Sequence, residues 1–272
     1  MPFSVLILTL NEEHDLPRCI ASARDSDDLV VLDSGSTDRT VGLAAGAGAR
    51  VFTRRFDSFA GQRNFAQREI PFRHPWVFHL DADEQLTPEL AAECREAAER
   101  TGVAGYYAAP KMMFQGRWIP HCTDYPAWQA RFVRAPDFEF VDAGHGQREA
   151  PHQKLGRLRA NYLHDLTSGG EAEWLEKHRR YARAEALELS RTAASARWLD
   201  LFAGEPLRRR RTLKLLSARL PFRPAARFAY QYFLRRGFLD GAGGLRYCRL
   251  LARYEAFISE EIRRLREGAP PG

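Results

Sequence analysis

The sequence is short of several things, and each shortage removes a class of protein. Its four cysteines, Cys19, Cys94, Cys122 and Cys248, form no Cys-x-x-Cys pair, and no histidines stand at zinc-finger spacing. Neither a disulfide framework nor a structural zinc site is expected, and scattered thiols suit a reducing cytoplasm. No apolar run approaches the ~20 residues that a spanning helix needs, and MPFSVLILTLNEEH has no basic leader before its short apolar stretch. Neither a signal peptide nor a membrane anchor is therefore expected. No Gly-x-Gly-x-x-Gly follows the first strand-like run, which disfavours a Rossmann dehydrogenase. Internal repeats are missing too. Acids are scarce in one region: from Leu207 to Ala256 only Asp240 and Glu255 stand among many arginines, although the net charge is a modest +6. That asymmetry predicts an anionic partner at one end of the chain.

What is present reads as a soluble globular protein, 44% hydrophobic and 28% charged. At 272 residues the chain can bury one sizeable core with a smaller extension. VLILTL (5–10) is a continuous apolar run that breaks at Asn11-Glu12-Glu13, a doubly covered strand feeding a helix over 12–24, with Asn11 as its cap. LVVL (29–32) ends at Asp33, after which SGSTDRT supplies a turn and caps for a helix over 38–47. RVFTRRF gives a third short strand, GQRNFAQREI a helix over 61–70, and WVFHL (76–80) a fourth strand. Thr87-Pro88 is a cap followed by proline in the first helical turn. The alternation predicts an α/β fold with a mostly parallel sheet covered on both faces, and ligands in such sheets sit beyond the carboxyl ends of the strands. Asn11, Asp33 and the run Asp81-Ala82-Asp83 all fall at strand ends, which brings them to one rim. A lone acid there is commonly a helix cap; acids at several strand ends suggest a site. An Asp-x-Asp pair suits Mg²⁺ or Mn²⁺, hard cations that take carboxylate oxygens together with ligand phosphates.

These residues resemble a known family. VLILTLNEE, VVLDSGSTDRT and WVFHLDADE are similar to the three N-terminal motifs of family 2 glycosyltransferases, which implies the GT-A nucleotide-diphospho-sugar-binding fold. The resemblance continues through GQRNFAQ, GRLRANYLHDLTSGGEAEWLEKHRRYARAEA and RPAARFAYQYFLRRGFLDGAGGLRYCRLLARYE, toward the branch that includes lipopolysaccharide core glycosyltransferases of the WaaE type. It implies that Asp33 contacts the nucleotide base, usually uracil, and that Thr9, Asn11 and Glu12 line the nucleotide pocket. Arg63, Asp81, Ala82 and Asp83 join the nucleotide-sugar site, with Asp83 and Asp81 as metal ligands. Many members read DDGSTD where this chain has DSGSTD, so Ser34 stands in place of a second acid.

The predicted domains are 1–168, divided into a nucleotide-sugar half (1–103) and an acceptor half (104–168), and a helical, membrane-associating extension (169–272). In FVDAGHGQREA, Asp142, His145, Gln147 and Glu149 lie among glycines, where backbone can approach a ligand. An inverting transferase needs a carboxylate to take the acceptor hydroxyl's proton. Asp142, Glu149 and Asp124 are the candidates, with Glu149 chosen because the resemblance places a His-Glu segment here; His145 and Gln147 are assigned to the acceptor side. His178, in a helical stretch with Trp174, Tyr181 and Glu185, reads as a packing residue. The basic tail, including Arg208 to Arg211, has three readings: a solvated packing layer, a nucleic-acid surface without an accompanying motif, or, favoured, amphipathic helices on an anionic membrane. The expected function is an inverting, metal-dependent transfer of sugar from a UDP-sugar to a lipid-linked glycan, such as lipopolysaccharide core, at the cytoplasmic face of the inner membrane, with no nucleic-acid partner. The alternatives are a haloacid-dehalogenase-like phosphatase, weakened by Gln85 where that motif wants Thr or Val, and a non-catalytic sugar-nucleotide-binding scaffold.

Overall fold

A computed structural model describes residues 3–143, 146–192 and 222–267. The chain divides into two compact units, one formed by 1–118 with 124–168, the other by 119–123 with 169–272.

The first unit is built on a mixed sheet. Strands β1 (Ser4–Thr9), β2 (Leu29–Asp33), β3 (Arg50–Thr53) and β4 (Trp76–Asp81) run parallel in the order β3-β2-β1-β4. The sheet then continues through β8 (Gln129–Arg134), β6 (Gly105–Phe114) and β11 (Leu155–Asp165) to the two-residue β5 (Glu84–Gln85). β8 is antiparallel to both β4 and β6, and β11 is parallel to β6. β7 (Arg117–Trp118) folds back on β6, and β9 (Phe140–Ala143) with β10 (Gly146–Glu149) forms a separate hairpin.

The continuous apolar runs have a simple cause. Side chains alternate across a strand, so Val5 and Ile7 enter one core with Leu16, Leu80 and Leu90, while Leu6 and Leu8 enter another with Val30, Leu32 and Ala66. Both faces of the strand are thus buried, which is why it shows no polar alternation.

Helices α1 (Leu16–Ser22), α2 (Thr40–Gly46), α3 (Phe59–Glu69) and α4 (Pro88–Ala98) follow the strands. α3 starts at a Ser58 cap whose hydroxyl accepts from the Gly61 amide, and α4 at Thr87, which accepts from the Leu90 amide. The first helix begins four residues later than its sequence pattern predicts. Asn11 has a left-handed φ of 56°, and its side-chain oxygen accepts from the Thr37 amide of the neighbouring loop instead of capping its own helix.

Among the described residues, the second unit contains α5 (Gly170–Thr192), α6 (Arg223–Ala229), a π-helical turn (Tyr230–Leu234), a 3-10 turn (Gly237–Asp240) and α7 (Gly241–Arg266). Ala182, Ala186 and Leu189 of α5 meet Ile258 and Ile262 of α7. His178 stacks on Trp174 with ring centroids 3.5 Å apart, in the packing role its spacing suggests. Asp240 fastens residues 119–123 to this unit by accepting from the His121 and Cys122 amides and pairing with His121 Nδ1 at 2.7 Å.

Candidate active site

Strand register sets the rim. Thr9 pairs with Asp33 and Leu8 with Asp81, so three adjacent parallel strands bring these carboxylates to one end. The β2–α2 loop is organised by Asp33, which is buried. Its Oδ1 accepts from Thr9 Oγ1 at 2.9 Å and Ser36 Oγ at 2.5 Å, and its Oδ2 from the amides of Gly35 and Ser36 at 2.9 and 2.8 Å. Four bonds fill the usual acceptor capacity of a carboxylate. Gly35 has a φ of 100°, a conformation a side chain disfavours. The β1–α1 loop interlocks with this one, since the amides of Asn11, Glu12 and Glu13 donate to Ser36, Thr40 and Asp38. Ser34 accepts from Gln62 Nε2 at 3.3 Å.

The Asp-x-Asp segment is held by two buried arginines. Asp81 accepts from Arg63 at 2.7 Å on one oxygen and from Arg131 at 2.9 Å on the other. Burial alone would raise the Asp81 pKa, but the Arg131 and Arg63 guanidiniums outweigh it and hold the carboxyl well below the usual carboxylate range. Arg131 also bonds Glu84 at 2.6 Å, and Glu84 accepts from the Asp81 amide at 2.9 Å, closing the turn after β4. Arg63, although buried, has Nε and Nη1 atoms that donate to nothing among the described residues.

The pairing of β11 with β5 places His164 opposite Glu84. Its Nδ1 lies 3.4 Å from Glu84 and its Nε2 3.6 Å from Asp83. Burial disfavours the imidazolium, yet Asp83 and Glu84 more than compensate and push His164 up to about 9. A backbone bond from the Asp165 amide to the Asp83 carbonyl fixes the two segments together. Asp83, Glu84 and His164 offer ligand atoms within 4.8 Å of one another. Once His164 gives up its proton, a mixed carboxylate and imidazole set of this size fits Mg²⁺ or Mn²⁺, the latter tolerating the nitrogen better, so a cation here competes with protonation of His164.

Sequence reasoning missed Arg131, Glu84 and His164 as members of this cluster. Glu84 directly follows the Asp-x-Asp pair and His164 lies in NYLHD, but neither has a strand-end pattern until β5 and β11 are paired. Arg131 sits inside an ordinary β8 pattern.

Of the proposed bases, Glu149 lies on β10, half-buried, accepting from Tyr107 Oη at 2.5 Å. Burial and this carboxylate push Tyr107 up to about 12. Glu149 is opposite Phe140 in the hairpin, whose ring lies 5.9 Å from the Arg63 guanidinium. Asn64 of α3 bonds both the carbonyl and the amide of Phe140, which ties the hairpin to the helix that carries Arg63. Asp142 is exposed and opposite Gln147, and Asp124 lies in an exposed turn. His145 and Arg208 to Arg211 lie outside the described residues.

The family model described as Glycosyl transferase family 2 matches residues 4–143. The lipopolysaccharide core biosynthesis glycosyltransferase LpsC of Rhizobium meliloti is 35% identical over 134 residues, 43% of this chain and 49% of that protein. An uncharacterized glycosyltransferase of Rickettsia bellii is 38% identical over 91 residues, 33% of this chain and 30% of its own. The chain thus spans half or less of the length of these curated relatives. Among solved structures, S. aureus TarS 1-349 with UDP-GlcNAc aligns over 99% of this chain and 93% of its own, at 16% identity and a TM-score of 0.46. The family match takes in 140 of 272 residues and covers the β1, β2 and β4 strand ends whose register assembles the rim, so the chain belongs to glycosyl transferase family 2.

Proposed function

We propose that this protein transfers a sugar, with inversion, from a nucleoside-diphosphate donor, a UDP-sugar, to a lipid-linked glycan of the cell envelope such as lipopolysaccharide core. The observation that carries the reading is the acidic rim itself: the Asp33 loop beside an arginine-held Asp81, with Asp83 and His164 facing each other next to it. The 35% identity to LpsC supports the envelope-glycan assignment.

The roles follow from what each group has left to offer. Asp33, with its four bonds, shapes the nucleotide loop, and a base contact needs one of those hydrogens to yield. Thr9, Asn11 and Glu12 form the adjoining wall. Arg63 is assigned to the nucleotide-sugar site; its Nε and Nη1 are enclosed, so it acts there through Asp81, which it holds at 2.7 Å. Asp83 and His164 would hold Mg²⁺ or Mn²⁺, with Glu84 behind them, and Asp81, whose two oxygens each accept from one arginine, positions the turn and keeps a lone pair on each oxygen for the cation. The cation supplies positive charge against that developing on the departing diphosphate.

In the transfer step an acceptor hydroxyl oxygen attacks the anomeric carbon. Glu149 takes the hydroxyl proton, and the bond from that carbon to the diphosphate oxygen breaks with its electron pair leaving on the nucleotide. Ala82, Gln147, His145 and Asp142 are assigned to the surrounding donor and acceptor surfaces. The phosphatase alternative is not favoured, because the chain belongs to glycosyl transferase family 2 and Gln85 stands where that motif wants Thr or Val. No described helix is long and apolar enough to cross a membrane, and we assign the protein a peripheral position at the cytoplasmic face of the inner membrane.

The test is donor binding followed by turnover. Thermal shifts with UDP, GDP and CDP, each with and without Mn²⁺, report which nucleotide favours the folded state. UDP is expected to give the largest metal-dependent shift, and product then forms from a UDP-sugar with envelope lipid as acceptor. An equal or larger shift with GDP refutes the uridine assignment, and binding with neither transfer nor hydrolysis favours the non-catalytic scaffold.

A further inference from the structure

The second unit carries an apolar surface that its own packing leaves largely exposed. Of the fourteen large hydrophobic side chains exposed among the described residues, six fall between 222 and 239: Phe222, Tyr230, Phe233, Leu234, Phe238 and Leu239. Phe222 and Leu234 are 76% and 75% exposed. The backbone there is irregular. A π-helical turn over Tyr230–Leu234 runs into Arg236 at a φ of 62° and then a 3-10 turn over Gly237–Asp240, and such bulges recur at functional sites.

The inner side of this segment is fastened. Gln231 is buried and donates to the Cys122 carbonyl at 2.5 Å, and Arg235 donates to the Thr123 carbonyl at 2.5 Å. Gly237 lies so close to its neighbours that an added Cβ would stand 2.8 Å from the Gln231 carbonyl oxygen and 2.9 Å from the Cys122 Cβ. The segment is thus anchored on one side while its aromatic and leucine side chains face out, and little ordering is left to be done when a partner arrives.

Charge identifies the partner. Between Phe222 and Asp240 the sequence holds four arginines and no acid; Arg223 is buried against Glu255, which leaves Arg227, Arg235 and Arg236 at least partly exposed. Arg236 is exposed and Arg227 half-exposed beside the apolar side chains. A two-fold contact between copies through this patch would set arginine against arginine with no acid in the segment to meet them. An anionic bilayer satisfies both features, since its interface accepts aromatic and aliphatic side chains and its headgroups meet the guanidiniums. We propose that residues 222–239 form a preformed docking surface for an anionic lipid bilayer, lying in the interface rather than spanning it. The proposal deepens the reading of a lipid-anchored acceptor. It rests on that reading only for its purpose, because binding is measured without substrate and can fail or succeed independently of transfer.

The experiment uses the full chain and vesicles of phosphatidylcholine with or without phosphatidylglycerol, with co-sedimentation and melting temperature as readouts. The intact protein is expected to bind the anionic vesicles alone, and more weakly when NaCl rises from about 0.1 M to about 1 M, which shortens the Debye length from ~10 to ~3 Å. Arg227→Gln with Arg236→Gln is expected to weaken binding about thirtyfold, about fivefold per arginine near the surface. A charge-matched control, Arg24→Gln with Arg68→Gln, leaves binding unchanged. Phe233→Ser with Leu234→Ser lowers binding at every salt concentration while the melting temperature holds. Three binding or stability results overturn the proposal. These are equal affinity for vesicles without phosphatidylglycerol, equal weakening by the control pair, or a sharp fall in melting temperature in the Phe233/Leu234 variant, which would make the patch a packing face. A concentration-dependent dimer that Phe233→Ser dissociates also overturns it, in favour of a second copy.

Discussion

Replacing Arg131 by methionine keeps most of the side chain's volume and removes the charge at the centre of the candidate site. The guanidinium is buried and bonds Asp81 at 2.9 Å and Glu84 at 2.6 Å, with longer contacts to Tyr162 Oη at 3.3 Å and the His79 carbonyl at 3.4 Å. Without it, Asp81 keeps Arg63 but Glu84, fully buried, keeps only its backbone donor and His164. Breaking one partner out of a buried ion network costs about 3–5 kcal/mol, because a charge is left without compensation. At roughly 2–4 °C per kcal/mol for a unit of this size, the melting temperature should fall by about 6–20 °C. Arg68→Met is the control. Its pair with Glu139 is 65% and 49% exposed on the two sides, and an exposed pair of this kind contributes about 0–1 kcal/mol. The acid limb gives a second readout. The folded pKa of Asp81 is depressed, so its contribution to stability is present above the unfolded value near 3.9 and is lost as pH falls through the folded value. Removing Arg131 lessens the depression, so the variant's stability should decline less steeply with acid than that of the intact protein. Equal melting temperatures for Arg131→Met and Arg68→Met would refute the assignment of Arg131 as the residue that holds the acidic turn.

Two further predictions concern the chemistry. Glu149→Gln should lower transfer by about 10²–10⁴ while UDP affinity, followed by calorimetry, stays within twofold to threefold; normal transfer by this variant, with Asp142→Asn inactive, gives the base to Asp142. Asp83→Asn and His164→Asn should each abolish the Mn²⁺-dependent part of the UDP thermal shift, and the metal-free melting temperature should fall as well, because Asp83 and Glu84 stabilise the His164 imidazolium in the folded state. A metal-dependent shift that survives both changes sinks the cation site.

Much of this organisation was legible in the chain before it was folded. The doubly buried strands announce themselves as continuous apolar runs, VLILTL and LVVL, because a strand covered on both faces has no polar alternation to break the run. Thr87-Pro88 marks its helix start by local chemistry alone, and Asp33 and Asp81 advertise a rim by standing at strand ends. Asn11 shows where local reasoning stops, since its side chain bonds the neighbouring loop at Thr37 rather than the helix that follows it.

The cluster behind the rim was decided only by tertiary structure. His164 meets Asp83 and Glu84 because β11 pairs with β5 across nearly eighty residues of sequence, and Arg131 meets Asp81 because an antiparallel β8 lies beside β4. Register between distant strands is set by the packing of the whole sheet, which no local pattern encodes. The sequence alone therefore determined which residues could do chemistry at the ends of the strands. The fold decided which of their charges are already neutralised, and so left Asp83 and His164 facing one another while both oxygens of Asp81 are bound to arginine.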